Sequence, residues 1–352
     1  MSFFNVYLPI AGIHLNILLL IAIGFCVGIM GGFFGLGLGF ITNTALNIFR
    51  FHMAFAIGTG LSNVFGQSLS AIRKHQKMGN VDWKLGAIAI FTSVAGFEVG
   101  SRVVIALEKA GDVGSVIRWS YVVVLAGLGS FMCYDYFVLQ ARQLKRPEAD
   151  SPAGNYGSGQ ERQHSSVARR LHQINIPPMI SFPASQIERV SLWVVVSVFL
   201  CTGFLSGVLG IGGGFMILPA LVYLIGLPTT IAVGTSLITV LATAGFGCLT
   251  YALDGKVELL AAVFLLVGSS IGAQIGATAV KFIKGYGIRL LFAIMMILAA
   301  LSVMAEQFYM MTSRPAFHAF SWVILEGTVL ALTATIIARL LLGYRAERAG
   351  RI

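Results

Sequence analysis

One glycine-rich apolar segment occurs twice in this sequence, at a constant offset. The first copy spans residues 28–40 and the second spans residues 203–215, with their glycines at matching positions 175 residues apart. Shorter matches follow at an offset of 176, pairing residues 56–61 with 232–237, 79–82 with 255–258, and 96–100 with 272–276. A duplicated apolar unit that is interrupted by glycines is typical of membrane transporters built from internal repeats.

The composition indicates a chain whose main solvent is lipid. It is 57% hydrophobic and 11% charged, with a mean hydropathy of +0.86, whereas soluble chains carry about 25% charged residues. Many apolar runs reach the roughly 20 residues that a helix needs to span a bilayer. We therefore predict an all-α polytopic membrane protein and exclude a large soluble core. We interpret the first apolar stretch as mature sequence, because it lacks the charged start and cleavage site of a signal peptide.

The net charge of +10 has a simpler explanation than nucleic-acid binding. The basic residues lie in loops and tails, where cytoplasmic segments of membrane proteins accumulate Lys and Arg. We expect the lipid bilayer as a partner and no nucleic acid.

The apolar runs divide the chain into four parts. Residues 1–139 form the first membrane repeat and residues 190–305 the second. Between them, residues 140–189 are basic and rich in Ser and Gly, which predicts a polar cytoplasmic connector, although a small regulatory module is an alternative. Residues 306–352 supply an additional C-terminal transmembrane helix and a basic tail.

Each repeat opens with a stretch that is too long for one span. As a single helix, residues 190–225 would be about 54 Å long, against a hydrocarbon core of ~30 Å. Four glycines between Gly210 and Gly214 would break it. We therefore predict that residues 190–225 and 10–49 are helical hairpins. The basic loop 73–84 and the acidic loop 251–258 then lie on opposite sides, which makes the repeats inverted; parallel repeats are the alternative.

The two glycine clusters are the first candidates for a binding site. Backbone that leaves helical geometry inside a membrane must be satisfied by protein, water or substrate. A helix that restarts after a glycine turn offers free N–H groups and a positive dipole end, which suit an anion. Some glycines can instead serve close helix packing, and we favour this for the pairs at 28/32, 203/207, 96/100 and 272/276.

Hydroxyl and amide side chains follow each glycine cluster, and together they could line one polar cavity without a fixed charge. Any single Ser or Thr can instead bond its own helix backbone. The candidate substrate-binding residues are Gly35, Gly37, Gly39, Asn43, Thr44, Thr59, Asn63, Gln67, Gly212, Gly213, Gly214, Thr235, Ser236, Thr239 and Gln274.

Glu98 is a candidate for proton coupling. It is a carboxylate near the middle of an apolar run, where ionisable groups are expensive and often functional. Its repeat partner is the neutral Gln274. The alternative is a structural ion pair with Arg102, one helical turn further on.

No motif for catalysis, cofactor binding or metal binding stands out. The chain lacks a phosphate-binding P-loop, the dinucleotide-binding glycine pattern, Gly-x-Ser-x-Gly and His-Glu-x-x-His. The six histidines show no metal-ligand spacing, and the four cysteines are singletons inside apolar runs. We therefore expect no enzymatic activity, no catalytic residues, no cofactor and no metal.

The ordered set of motifs resembles the TauE/SafE family of sulfite exporter-like permeases. The resemblance covers nearly the whole chain outside 140–175 and the tail, and it is carried by residues 24–40, 56–59, 73–82, 203–219, 233–237 and 268–276. It implies export or uptake of small sulfur oxyanions and organosulfonates across the bacterial inner membrane. One departure weakens it in the first half, where Leu38 interrupts the glycines and Thr44 replaces the family's proline.

Taken together, we expect a multi-pass secondary transporter that moves a small anion by alternating access. Two alternatives stay open: a passive anion channel of the same fold, and a membrane scaffold or enzyme subunit whose polar residues are structural. The sequence leaves open which anion is moved, in which direction, with which coupling ion, and whether the protein is a homodimer.

Overall fold

The computed structural model describes residues 5–49, 51–108, 113–144, 168, 170–171, 173, 176–185, 187–209, 214–283 and 285–348. This part of the chain contains eleven α-helices and two small antiparallel β-hairpins. Seven helices have a segment long and apolar enough to cross a membrane. The predicted class, an all-α polytopic membrane protein, is confirmed.

The two halves contain the same elements in the same order. The first half comprises β1 (Asn5–Leu8), β2 (Ile13–Asn16), α1 (Ile17–Phe34), α2 (Gly39–Ile48), α3 (Met53–Lys77), α4 (Trp83–Glu108) and α5 (Val113–Leu144). The second half comprises β3 (Met179–Phe182), β4 (Ile187–Ser191), α6 (Leu192–Leu209), α7 (Gly214–Ala220), α8 (Thr229–Leu253), α9 (Leu259–Ala279) and α10 (Gly285–Thr312). An additional helix, α11 (Pro315–Arg348), follows.

The first long apolar stretch is broken into two arms, as predicted. Helix α1 ends at Gly35, whose φ of 74° is left-handed, a conformation that glycine adopts without steric cost. Helix α2 then returns, because Leu46 near its end shares a buried cluster with Leu15 of β2 and with Leu20 at the beginning of α1. The first segment is therefore a helical hairpin with Gly35 at its tip.

In the second half, the corresponding break falls between α6 and α7. Helix α7 begins at Gly214 and continues as a π-helical turn, Leu221–Ile225, before Gly226 ends it with a left-handed φ of 85°. Residues 210–213, which include Gly212 and Gly213, lie outside the described residues.

Helices α1 and α9 pack with their backbones in contact. A Cβ atom added at Gly24, Gly28 or Gly32 would meet the backbone oxygen of Leu265, Ser269 or Ala273, respectively. Glycines of α9 make the reciprocal contacts, since added Cβ atoms at Gly268, Gly272 and Gly276 would meet the backbone oxygens of Ile21, Phe25 and Ile29. Residue numbers rise together along both helices, so α1 and α9 run parallel, and this glycine seam leaves no space for a side chain.

Helices α4 and α6 form a second glycine seam. On α6, a Cβ atom added at Gly203 would meet the backbone oxygen of Ser93, and one added at Gly207 would meet that of Phe97. On α4, a Cβ atom added at Gly96 would meet the backbone oxygen of Leu200, and one added at Gly100 would meet that of Phe204. Each contact has its counterpart in the α1–α9 seam at the repeat offsets. The packing role predicted for these glycine pairs is confirmed in both seams.

The directions of the remaining helices follow from their contacts. Helix α3 runs antiparallel to α8, because Gly58 lies near Tyr251 whereas Phe65 lies near Gly245. Helix α3 runs parallel to α9, and α4 runs parallel to α8. Helices α1, α3 and α9 therefore point one way, and α4, α6 and α8 point the other way. These directions favour inverted repeats, although the sidedness in a bilayer stays a prediction.

Each β-hairpin is held by an acidic residue at the beginning of a helix in the other half. Glu258 accepts hydrogen bonds from the backbone N–H groups of Ile10 (2.7 Å) and Ala11 (2.8 Å), next to β2. Its repeat partner, Asp82, accepts one from the Ser185 hydroxyl (2.6 Å), between β3 and β4. The repeat unit thus includes these hairpins, and the second one begins within the segment 140–189 that the sequence assigns to a connector and ends at Ser191.

The glycine seams give a stability prediction. Replacing Gly203 by Ala forces a methyl group against the Ser93 backbone oxygen, so we expect a loss of about 1–3 kcal/mol or more and a lower melting temperature. The control is Gly127→Ala in α5, where an added Cβ has no neighbour within 4 Å and removing a helical glycine is neutral or stabilising. Equal melting of both variants would contradict backbone contact in the seam.

The inverted arrangement gives a topology prediction. In a background without the four native cysteines, Lys77→Cys and Asp254→Cys place single thiols at exposed positions at opposite ends of the molecule. We expect an impermeant maleimide to label Lys77→Cys only from the cytoplasm and Asp254→Cys only from the opposite side, as the basic and acidic loops indicate. Labelling of both from the cytoplasm would support parallel repeats.

Candidate functional site

The tips of the two hairpins meet inside the protein. A Cβ atom added at Gly214, the first residue of α7, would lie 3.1 Å from both the Gly37 nitrogen and the Leu36 Cα. The repeat-equivalent rings of Phe40 and Phe215 pack edge to face, with centroids 4.9 Å apart. The first hairpin tip and the beginning of α7 thus face each other.

Helices α3 and α8 flank the first tip. A Cβ atom at Gly37 would contact Val64 of α3 and Val240 of α8, which are themselves repeat equivalents. The Ser236 hydroxyl donates to the Gly35 carbonyl over 2.8 Å. The non-helical backbone of residues 35–38 is therefore enclosed by one helix from each half, which shields it from lipid.

Buried polar atoms without a hydrogen-bond partner lie on the helices that meet at this tip. We define the polar cluster as Asn43, Asn63, Gln67 and Thr239. Among the described residues, the Asn43 Oδ1, the Asn63 Nδ2, both Gln67 amide atoms and the Thr239 hydroxyl have no partner. An unpaired buried polar group costs about 1–3 kcal/mol. A concentration of such groups is expected where a ligand supplies the missing bonds.

Local contacts position the polar cluster. Asn43 packs against Gly60, where a Cβ atom would meet its Oδ1, and the Gln67 amide packs in the same way against Gly31. The Asn63 Oδ1 accepts a hydrogen bond of 2.6 Å from the Ser269 hydroxyl, which leaves its NH₂ group free to donate. Two glycines and one serine thus orient the side-chain amides.

The polar cluster lies in a neutral environment. The sequences of α1, α2, α7, α8 and α9 contain no Asp, Glu, Lys or Arg, and α3 carries its three basic residues in its last two turns. The donors available to a ligand are therefore amide N–H and hydroxyl groups, without a fixed cation beside them.

Most of the predicted site residues come together around the tips. Those that the structure places there are Gly35, Gly37, Gly39, Asn43, Asn63, Gln67, Gly214, Ser236 and Thr239.

Four predicted residues are placed elsewhere or are engaged in other bonds. The Thr44 hydroxyl donates to the carbonyl of Phe40 in its own helix (2.7 Å). Thr59 and Thr235 accept the backbone N–H of Glu258 and Asp82, respectively, over 3.0 Å. Gln274 is exposed and donates to the Ser70 hydroxyl (3.3 Å). These side chains support the fold around the tips.

Glu98 lies apart from the polar cluster. Its Oε1 is 2.8 Å from the Nε of Arg102, with 38% of its side chain and 76% of the Arg102 side chain exposed. The ion pair that the sequence offered as the alternative is therefore formed. Its exposure suggests a small contribution to stability.

The sequence reasoning overlooked His75 and the acidic pair of Asp82 and Glu258. His75 is fully buried near the end of α3, four residues beyond Ala71 and eight beyond Gln67. A stripe of residues at every fourth position from Thr59 to His75 is the signal that could have revealed it. The repeat alignment could have revealed the acidic pair.

Comparison with known proteins agrees with this architecture. The family model described as Sulfite exporter TauE/SafE matches residues 20–303, which include both hairpins and both seams. The chain belongs to this family. No solved structure matches the chain.

Similar proteins in the family carry transporter names. The probable membrane transporter protein YunE of Bacillus subtilis is 25% identical over 301 residues, covering 83% of this chain and 98% of that protein. A probable membrane transporter protein of Methanocaldococcus jannaschii is 29% identical, covering 58% of this chain and 60% of that protein. One from Xylella fastidiosa is 26% identical, covering 72% and 79%. The chain is therefore a multi-pass membrane transporter of the TauE/SafE family.

The unpaired amide of Gln67 gives a prediction that separates binding from folding. In Gln67→Met the side chain keeps its length but loses an amide that has no partner among the described residues, so we expect an equal or higher melting temperature. The control is Ser269→Ala, which removes the donor to Asn63 and should cost about 1 kcal/mol. If Gln67→Met melts as low as Ser269→Ala, the amide serves the fold.

Proposed function

We propose that this protein is a secondary transporter that moves a small anion, such as sulfite, an organosulfonate or a related sulfur oxyanion, across the bacterial inner membrane by alternating access. The observation that carries the proposal is the polar cluster: buried amide and hydroxyl groups that have no partner among the described residues, next to the point where the first hairpin tip meets the beginning of α7. The choice of sulfur oxyanions rests on the family's description.

The chemistry of the polar cluster suits a singly charged oxyanion. The Asn63 and Gln67 amides and the Thr239 hydroxyl are donors, and an oxyanion offers several acceptor oxygens to them. Hydrogen bonds to a charged group contribute about 1.5–3 kcal/mol each, so a few suffice for binding. Because the described helices α1, α2, α7, α8 and α9 carry no fixed cation, the anion can leave again.

The packing supports movement of one rigid unit against another. Helices α1 and α9 form one unit and α4 and α6 form another, each held by its glycine seam. The units contact each other through the hairpin tips, where Phe40 meets Phe215. Rocking of two such units around a central site is the usual route to alternating access in transporters with inverted repeats.

The test is transport by the purified protein in proteoliposomes. We expect radiolabelled sulfite to exchange with internal sulfite at a rate that saturates with concentration, and thiosulfate, taurine and simple carboxylates serve as competitors. A rate that stays linear with concentration would indicate a channel. Absence of both flux and binding for every anion would favour a scaffold or an enzyme subunit.

The second hairpin tip gives a sharper prediction. In Gly214→Ala, a methyl group on the unchanged backbone would lie 3.1 Å from the Gly37 nitrogen, which is closer than ordinary van der Waals contact. The two segments therefore have to move apart by a few tenths of an ångström. We expect the affinity for sulfite to fall roughly tenfold to a hundredfold, as if one charge-assisted hydrogen bond were lost, with a smaller effect on melting.

Gly203→Ala is the matched control, because it adds the same methyl group within a seam. It should lower the melting temperature and leave the affinity of the folded fraction near normal. The opposite ranking of the two variants would show that Gly214 serves packing and that the anion does not contact this tip.

A further inference from the structure

His75 is a fully buried imidazole whose hydrogen bonding defines its tautomer. Its Nε2 lies 2.9 Å from the Gly32 carbonyl oxygen. Because a carbonyl oxygen only accepts, Nε2 carries the hydrogen. The Nδ1 has no hydrogen-bond partner among the described residues. In the neutral ring this atom is a free acceptor.

The position of His75 links it to the first hairpin tip. Its acceptor Gly32 belongs to the last turn of α1, three residues before the tip at Gly35. On α3 it continues the stripe of Asn63 and Gln67 at four-residue spacing, with the small Ala71 between. The Nε2–Gly32 hydrogen bond therefore ties His75 to the end of α1 that leads into the tip.

Among the described residues, no acidic side chain forms an ion pair or hydrogen bond with His75. Helices α1, α8 and α9, which pack around this end of α3, contain no charged side chain. The turn after α3 brings Asp82, whose oxygens accept from the Leu85 N–H (3.0 Å) and the Ser185 hydroxyl (2.6 Å). The cationic side chains on its own helix are Arg73, Lys74 and Lys77, and α4, which contributes Ile90 to the apolar cluster at this end of α3, carries Lys84 at its beginning. An unpaired imidazolium here would cost several kcal/mol, so His75 is neutral in this conformation.

We propose that His75 carries the proton that accompanies the anion through the transport cycle. When the first tip moves and water enters, Nδ1 takes one proton from bulk water and the ring becomes an imidazolium. The charge of a monovalent anion in the polar cluster then offsets it. When the anion leaves, Nδ1 returns the same proton to water and the ring is neutral again as the tips close.

This role falls on one half of the molecule. The repeat equivalent of His75 is Tyr251, so the second half has no histidine at this position. The carrier is also distinct from Glu98, which pairs with Arg102 away from the polar cluster. The inference rests on the proposed transport function, and it deepens that function by naming the coupling ion and the residue that holds it.

The experiment measures opening of the tips without any anion. Val240→Cys, in a background without native cysteines, places a thiol where α8 contacts Gly37. Its rate of labelling by a small maleimide is divided by that of the exposed Asp254→Cys, which corrects for the pH dependence of the thiol itself. Between pH 8 and pH 5.5 we expect this ratio to rise about fivefold or more, because a water-exposed imidazole takes up a proton in this range whereas the buried ring does not.

The decisive variant is His75→Gln, which keeps an N–H donor for the Gly32 carbonyl but does not titrate. We expect it to abolish the rise, whereas His52→Gln and His318→Gln should keep it. If His75→Gln melts far below the parent, His75→Asn carries the same neutral amide in a shorter side chain and replaces it.

Two outcomes would overturn the proposal: a labelling ratio in the parent that does not change with pH, or a rise that persists without His75. Neither depends on which anion is carried. Failure of sulfite exchange would remove the proposed substrate while this measurement still decides the role of His75.

Discussion

Backbone-to-backbone packing across the two glycine seams is the contact on which the rest of this structure depends. Where Gly28 lies on Ser269 and Gly203 lies on Ser93, the helices approach until no Cβ fits between them. Inside a bilayer, association of helices relies on such close van der Waals contact, because lipid is as apolar as leucine. Each seam joins the first helix of one half to the fourth helix of the other. The seams thereby hold α1 and α6, the first helices of the two hairpins, and the hairpin tips face each other.

Much of this fold could be predicted from the sequence, because glycine spacing and helix length report directly on geometry. The repeat offset, the break after Phe34 and the packing role of Gly203 and Gly207 all follow from such patterns. The partners of the seams could not be predicted, since a glycine face is complementary to any other glycine face. Nor could the β-hairpin at Met179–Ser191, because its few apolar residues lie among polar ones and its partner Asp82 is about a hundred positions away.

The site was predicted in part. Asn63, Gln67 and Thr239 were identified as candidates because they are polar, follow the glycine clusters and lie at helical spacing. Thr59 and Thr235 have the same signal, yet their hydroxyls accept backbone N–H groups at the beginning of α9 and α4. Sequence spacing identifies a face of a helix, but only the packing shows what that face meets. His75 was overlooked for the same reason, since a lone histidine near two lysines looks like an interfacial residue until its burial is known.

The first helix of each half packs on the fourth helix of the other half, and this has a consequence for biosynthesis. Helix α1 leaves the ribosome with Gly24, Gly28 and Gly32 uncovered, and the surface that they fit belongs to α9, roughly 240 residues later in the chain. The β-hairpin before α1 likewise waits for Glu258. The first half therefore inserts into the membrane before its closest packing partner exists. Assembly is completed only when the second half arrives, so we expect neither half to reach its final packing alone.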